Sequence, residues 1–544
     1  MQNNRKQVFP HNPNNFFYWL IFSLIILFTV YVRLRLLNFP LERDEGEYAY
    51  LGQLILQGFP PFSQAYSMKL PGTSLGYAVI MLLFGQTTVG IHVGLLLVNC
   101  LSILLLFEVA KRLSNPTTGL IAAMTYAVLS LSPGVLGFAA HATHFIVLTS
   151  LAGTLLLLKG FARNRLIWFF TSGCLFGLSF IMKQHAIFFI FFGICAIFIE
   201  TFKLRPIQFQ RMALKILIFI IAATLPYLLI IIYEVFVDNF QRFWFWTFQY
   251  ALKYATATKS LEVAYNDFKH NFIKVIAPFN LLWIIAGIGI VIIFIDERVK
   301  TSKIIIVAFV FFSVLAVIPG FYFREHYFIV LLPAVSLLIG LSIDYFRFVL
   351  RKYSKPLGYV PIALLLAAIT IGVFTCRNYF FLEKPAYLSR LYYGPNPFPE
   401  SVKIAQYVKS NTNPGDRIVV LGSEPQIYFY SQRHAGTGYI YMYGLMGEGD
   451  YALKMQKDMI NEIESSTPRY IIFVYNPLSW LPRTNSKNLI FDWFEQYSSN
   501  YELVGDVDMI SPQETRYIWG ESAQEYVQEH KNGIDFFIFI FKRK

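Results

Sequence analysis

Phe16–Glu47 reads FFYWLIFSLIILFTVYVRLRLLNFPLERDEGE, a long apolar run that ends in four acids within six residues. The run over 16–37 exceeds the roughly 20 residues a helix needs to cross the hydrocarbon core of a bilayer. It is too long for a removable signal and lacks a small-residue cleavage site, so the chain is expected to keep it as a span. Comparable runs follow at 88–108, 117–138, 144–159, 166–182, 186–202, 214–236, 275–295, 303–319, 326–346 and 357–376. Eleven spans are therefore expected. Thr73–Gly85 is shorter and sits between Pro71-Gly72 and Gly85-Gln86. It reads as an interfacial or partly inserted helix.

Composition agrees. Of 544 residues, 56% are hydrophobic and 15% charged, where a soluble protein carries about 25% charged residues. The mean hydropathy is +0.49. Soluble, disordered, collagen-like and coiled-coil chains are excluded on these grounds. Cys100, Cys174 and Cys195 lie inside apolar runs and Cys376 at the end of one, so neither a disulfide nor a zinc knuckle is expected.

The net charge of +13 is unevenly placed. Residues 1–380 hold 30 Lys and Arg against 14 Asp and Glu, whereas residues 381–544 hold 16 against 19. Positive charge concentrated around spans is an orientation signal rather than a nucleic-acid footprint. With Arg5 and Lys6 in the cytoplasm, five basic clusters fall on the inner side. They are Lys111-Arg112, Lys159/Arg163/Arg165, Lys203/Arg205/Arg211/Lys215, Arg298/Lys300/Lys303 and Arg347/Arg351/Lys352/Lys355. A full crossing by Thr73–Gly85 would break that alternation. The long loops 38–87 and 238–274, the short polar loop 320–325 and the tail beyond Cys376 are then expected outside.

The tail changes character. Asp416–Gly422 and Arg469–Tyr475 are buried-type strands, each preceded by a stretch of helical spacing at Ser401–Asn411 and Tyr451–Glu464. Phe536–Phe541 reads as a last strand. The expected architecture is a polytopic α-helical membrane domain over 1–380 and a small extracytoplasmic α/β domain over 381–544. Nothing in the tail resembles a glycine-rich phosphate loop, because Leu421-Gly422-Ser423-Glu424 follows a strand without GxGxxG or a Walker sequence.

Chemistry points to the first outer loop. Glu42, Asp44, Glu45 and Glu47 at a membrane surface suit proton abstraction or cation binding, although a solvated loop would read the same way. The amphipathic stretch Tyr48–Leu56 follows, then the turn Gly58-Phe-Pro-Pro-Phe62 and the element Tyr66-Ser-Met-Lys69-Leu-Pro71-Gly72. Lys69, set between apolar residues, is either a snorkelling lysine or a phosphate contact.

Acids just after the first span, an amphipathic segment and a Lys-x-Pro element resemble the opening of the class-C (GT-C) membrane glycosyltransferases. The likeness is to family 39, which contains protein O-mannosyltransferases and lipid A aminoarabinose transferases. Gly177–Lys183 resembles the end of a middle span in that group, and Arg324–Pro333 resembles its late outer loop. The resemblance implies transfer of a sugar from a polyprenyl-phosphate carrier on the non-cytoplasmic face. By position it makes Asp44, with Glu45 beside it, the catalytic acid pair, and Lys69 and Arg324 phosphate contacts. One departure is Met68, where aminoarabinose transferases have a Glu able to ligate metal. No metal ligands are assigned on that basis, and a divalent metal is left open.

His141 and His144 stand i, i+3 in the second outer loop, a spacing that suits a zinc pair or, with no acid beside them, a hydrogen-bonding role at the substrate. Lys183 and His185, at the outer end of a span, and His326 beside Arg324 join the substrate-binding set; an interfacial Lys183 would also simply snorkel. Loop 238–274, with Phe243–Trp246, Tyr250, Tyr254, Lys253, Lys259, Lys269 and Lys274, reads as an interfacial belt or a lid over a lipid. The expected function is an inverting glycosyltransferase of a bacterial inner membrane, acting on an acceptor hydroxyl of a lipid, protein or glycan. A transporter or flippase of lipid-linked sugars is the alternative, but it leaves the gathering of ionisable groups at one face unexplained.

Overall fold

The computed structural model describes residues 15–203, 206, 208–256, 260–530 and 535–544. Arg5, Lys6, Arg205 and Lys259, used above, lie outside them. Among the described residues, eight helices are long and apolar enough to cross a membrane. They are Tyr18–Arg35, Thr88–Leu113, Ala142–Arg163, Gln184–Phe202, Phe209–Phe236, Leu261–Ile295, Glu325–Arg351 and Pro356–Thr375. The other three expected spans are shorter helices, Pro116–Ser130, Leu166–Met182 and Lys303–Leu315. The first of these is stopped early by Ser132-Pro133, where a 3-10 turn replaces the helix. Helix Leu332–Arg351 is buried along most of its length and forms the bundle's central post.

The first helix, α1 (Asn15–Arg35), leads into α2 (Arg43–Leu56), which carries the acids. A reciprocal cap explains where α2 starts. The Glu42 carboxylate accepts from the Glu45 N–H, and the Glu45 carboxylate accepts from the Glu42 N–H. Two of the four acids are thus engaged in helix initiation. Next, α3 (Gly72–Phe84) and α4 (Thr88–Leu113) are separated by a turn in which Gly85 adopts φ 88°. Helix α3 is apolar and thirteen residues long, the same length as Lys303–Leu315.

The C-terminal sheet has six strands: β1 (Arg417–Leu421), β2 (His434–Ala435), β3 (Tyr470–Tyr475), β4 (Tyr501–Met509), β5 (Thr515–Trp519) and β6 (Phe537–Arg543). Their order is β2-β1-β3-β6-β4-β5, parallel between β1 and its two neighbours and antiparallel elsewhere. The three strands legible in the sequence are the adjacent central ones, β1, β3 and β6. β4 escapes notice because Glu502, Asp506 and Asp508 interrupt its apolar pattern.

The sheet packs on the acid-bearing helix. A single apolar cluster joins Tyr48, Tyr50 and Leu54 of α2 to Ile418, Val420 and Tyr428 of the C-terminal half. Tyr50 stacks on Tyr428 with ring centres 5.2 Å apart, and its hydroxyl accepts from the Ala435 N–H. The approach is close enough to require glycine at 46, where a Cβ would stand 2.6 Å from the Gln426 nitrogen. An ionic joint lies beside it. Arg43 donates to the Ser423 carbonyl (2.6 Å), the Tyr443 hydroxyl (2.6 Å), Asn396 Oδ1 (3.0 Å) and Glu424 Oε1 (2.9 Å). The Ser479 hydroxyl donates to the other Glu424 oxygen.

Candidate active site

Asp44 and Glu47 are three residues apart on α2 and so share one face. Both point at Lys69, whose ammonium donates to Asp44 Oδ1 at 2.8 Å and Glu47 Oε2 at 2.6 Å. Lys69 is delivered by the segment that turns the chain back from α2 into α3, and it also lies over the Tyr48 ring. Ser67 fixes this segment by donating to Glu47 Oε1.

The electrostatics follow from this packing. Burial alone would raise the Asp44 carboxyl, but Lys69, with His326 and Lys183, holds it well below the usual carboxylate range. Burial alone would lower the Lys69 ammonium, but Asp44 and Glu47 keep it well above its ordinary value. Glu42 behaves oppositely. Burial, then the charges of Asp44 and Glu45, push it up to about 8. One acid cluster therefore contains a firmly ionised carboxylate and a protonatable one.

Asp44, Glu47 and Lys69 line one side of a cavity of about 360 Å³. Lys183 and Arg324 line it too, so three cations surround one space. Lys183 sits at the break between two apolar helices, with its ammonium 4.1 Å from the centre of the Tyr327 ring. Burial, opposed by Asp44 and reinforced by Lys69 and Arg324, brings it down to about 7. His185 also lines the cavity, with Nδ1 2.7 Å from the Ala316 carbonyl. The remaining wall is apolar and aromatic, with Trp246, Phe248 and Leu252 among its residues.

His141 and His326 stand at Asp44 but do not line the cavity. Their rings stack with centres 4.1 Å apart, and one donor atom from each, with a carboxylate oxygen of Asp44, lies within 4.8 Å of the others. Both ring nitrogens of His141 are buried without a hydrogen-bond partner, and its Nδ1 is 3.6 Å from Glu42. One carboxylate and two imidazoles suit a divalent transition-metal ion, so this is a candidate metal site. The sequence's i, i+3 pairing does not form: His141 caps helix Ala142–Arg163 and meets His326 instead, while both ring nitrogens of His144 are buried without a partner. Glu45 also lies away from the cavity. It is fully buried, accepting from the Ala140 N–H at 2.6 Å and contacting His92 Nε2 at 3.1 Å.

Sequence reasoning missed the contribution of the C-terminal half. Tyr441 and Tyr443 line the same cavity, and the Tyr441 hydroxyl donates to Asp44 Oδ1 at 3.4 Å. Nearby, Glu462 accepts from the Tyr66 and Thr437 hydroxyls and the Gly438 N–H, tying the tyrosine loop to the Lys69 segment. The signal available was Glu424–Tyr430 with Thr437-Gly-Tyr439, which resembles the tail of some bacterial members of the group and runs into the tyrosine-rich stretch Tyr439–Tyr443. Glu47 was visible as an acid but not distinguishable from its neighbours until the helix phase was known.

Comparison with known proteins follows the same lines. The sequence profile of the Dolichyl-phosphate-mannose-protein mannosyltransferase family matches residues 70–230. No curated protein matches the sequence. Among solved structures, ArnT from Cupriavidus metallidurans bound to undecaprenyl phosphate is similar with a TM-score of 0.57 and 14% identity, over 93% of this chain and 98% of that one. The archaeal oligosaccharyltransferase AglB from Archaeoglobus fulgidus, in complex with an inhibitory peptide and a dolichol-phosphate, is similar with a TM-score of 0.53 and 12% identity, over 93% of this chain and 74% of its own. The apo form of the Archaeoglobus fulgidus enzyme gives 0.54 at 12% identity, over 93% and 75%. The chain thus shares the overall fold of the ArnT and AglB structures.

Proposed function

We propose that the chain is a glycosyltransferase that moves a sugar from a polyprenyl-phosphate carrier to an acceptor hydroxyl by a single displacement with inversion. The observation that carries this reading is an ionised, partly buried carboxylate, Asp44, sharing one cavity with Lys69, Lys183 and Arg324. Asp44 accepts the proton of the acceptor hydroxyl as its oxygen attacks the anomeric carbon. The bond from that carbon to the carrier phosphate breaks, its electron pair leaves with the phosphate, and the cations offset the developing charge. Lys69 answers two carboxylates, and Lys183 and Arg324 are the further cations on the cavity wall that meet the phosphate. The aromatic and apolar wall accommodates the first prenyl units. A divalent ion on Asp44, His141 and His326 would add positive charge to the site.

The solved relatives whose names include a polyprenyl-type phosphate support the donor class. The profile match, which begins at Leu70 beside Lys69, supports the same reading. We further place residues 1–380 in the membrane with eleven crossings and the N-terminus in the cytoplasm, and residues 381–544 outside. That puts the site on the non-cytoplasmic face of a plasma membrane.

The test uses purified protein with a panel of radiolabelled polyprenyl-phosphate sugars. Asp44→Asn keeps size and shape, and it should lower sugar release by about 100- to 10,000-fold, the range for losing a general base. Turnover near that of the wild type would refute the assignment. Carrier binding by both proteins with no sugar release by either would favour the transporter reading.

A further inference from the structure

The tyrosine loop raises the question of what accepts the sugar. We infer that Tyr441 and Tyr443 form an acceptor subsite for a saccharide, so that the hydroxyl Asp44 deprotonates belongs to a sugar ring held against these two side chains. The inference rests on the reading of Asp44 as the base.

Four observations lead to it. The two rings meet at 89° with centres 4.8 Å apart, forming a right-angled aromatic corner on the cavity wall. A pyranose ring presents C–H bonds on its face and hydroxyls around its edge. Its weakly positive C–H face packs on the negative face of an aromatic ring, leaving the hydroxyls at the rim. The corner is also in the right place, because the Tyr441 hydroxyl already bonds to Asp44 Oδ1. A sugar stacked there brings a rim hydroxyl to the same carboxylate.

The corner is rigid before anything binds. Met442 N–H donates to the Ser423 hydroxyl, and the Tyr443 hydroxyl accepts from Arg43 and donates to the Leu478 carbonyl. Preorganisation of this kind removes ordering cost from binding. Finally, the loop is a poor surface for an extended peptide, which is recognised through main-chain hydrogen bonds. The amides of Gly438, Tyr439, Ile440, Met442 and Leu445 are all spent inside the protein. Each ring already has a cation on it, Arg43 over Tyr443 at 5.3 Å and Lys69 over Tyr441 at 5.7 Å from the ring centre.

The transfer balances as described above. The sugar oxygen gains the anomeric carbon and loses its proton to Asp44, and the carrier phosphate leaves with the electron pair.

The test uses the full chain in lipid nanodiscs with synthetic polyprenyl-phosphate glucose, galactose and mannose as donors. Acceptors are fluorescent trisaccharides of gluco-, galacto-, manno- and N-acetylated rings, together with a fluorescent Ser/Thr-rich decapeptide. Transfer to a trisaccharide and not to the peptide is expected. Tyr441→Leu and Tyr443→Leu should each raise the acceptor KM by about tenfold or more, the loss of one aromatic face. Tyr→Phe at either position should keep it within about threefold, since the ring remains. Binding of undecaprenyl phosphate is measured on every variant. A parallel loss of carrier binding in the leucine variants would make the loop a structural element and overturn the proposal, as would equal acceptor KM values in leucine and wild-type proteins. Transfer to the peptide alone, or Asp44-dependent release of sugar to water with no saccharide product, overturns the acceptor class and leaves the transferase reading intact. No release by the wild type from any donor would instead refute the reading beneath it.

Discussion

The joint between Arg43 and Glu424 should be worth several kcal/mol, and a double-mutant cycle can measure it. Glu424 is fully buried and Arg43 nearly so, and they meet at 2.9 Å. Glu424→Gln keeps an oxygen for Arg43 but removes the charge. The expected loss is about 1.5–3 kcal/mol, the value of a hydrogen bond to a charged group. Arg43→Met is harsher, since it leaves a buried carboxylate with only the Ser479 hydroxyl and also vacates the Ser423, Tyr443 and Asn396 contacts. Removing one partner of a buried pair costs about 3–5 kcal/mol. The double variant has no stranded charge, so it should fall short of the additive sum by about 2 kcal/mol. Tryptophan fluorescence during chemical unfolding in mixed micelles reads all four proteins. Additivity within about 0.5 kcal/mol would refute the claim that the two charges hold the halves together.

Three further outcomes are expected. Burial brings Lys183 down to about 7 and a bound phosphate favours its charged form, so carrier binding takes up a proton above that pH. Affinity for undecaprenyl phosphate should therefore fall as pH rises from 7 to 9, by up to about tenfold per unit. Lys183→Arg should flatten the profile, and a flat wild-type profile would refute it. Equilibrium dialysis against Mn²⁺ or Zn²⁺ should find about one bound ion per chain, lost in His326→Ala; equal binding by the variant would dismiss the Asp44–His141–His326 site. Gly46→Val forces a side chain into the Gln426 backbone and should destabilise by about 1–3 kcal/mol, and an unchanged unfolding midpoint would show that the interface yields there.

The long apolar helices and the central strands were legible because each carries its own period or length. Asp44, Lys69, Lys183 and Arg324 were legible as charges that an apolar environment tolerates only for a reason, and the structure gathers them at one cavity. What the sequence concealed was pairing across distance. Glu45 and Glu42 look like Asp44 in one dimension, yet the capping box separates them from it. His141 has a neighbour at the right spacing in His144, but the helix begins between them, and its partner is His326. β2 is two residues long, too short to declare itself, and its place is fixed by the strand beside it.

The Arg43–Glu424 contact also has a temporal side. Its partners are 381 residues apart in the chain. At bacterial or eukaryotic elongation rates of about 5–20 residues per second, the helix bearing Asp44 waits on the order of 20–80 s for the residues that clasp it. During that interval Tyr48, Tyr50 and Leu54 lack the sheet that covers them. The nascent chain thus carries the acid-bearing helix without its C-terminal cover for most of its synthesis.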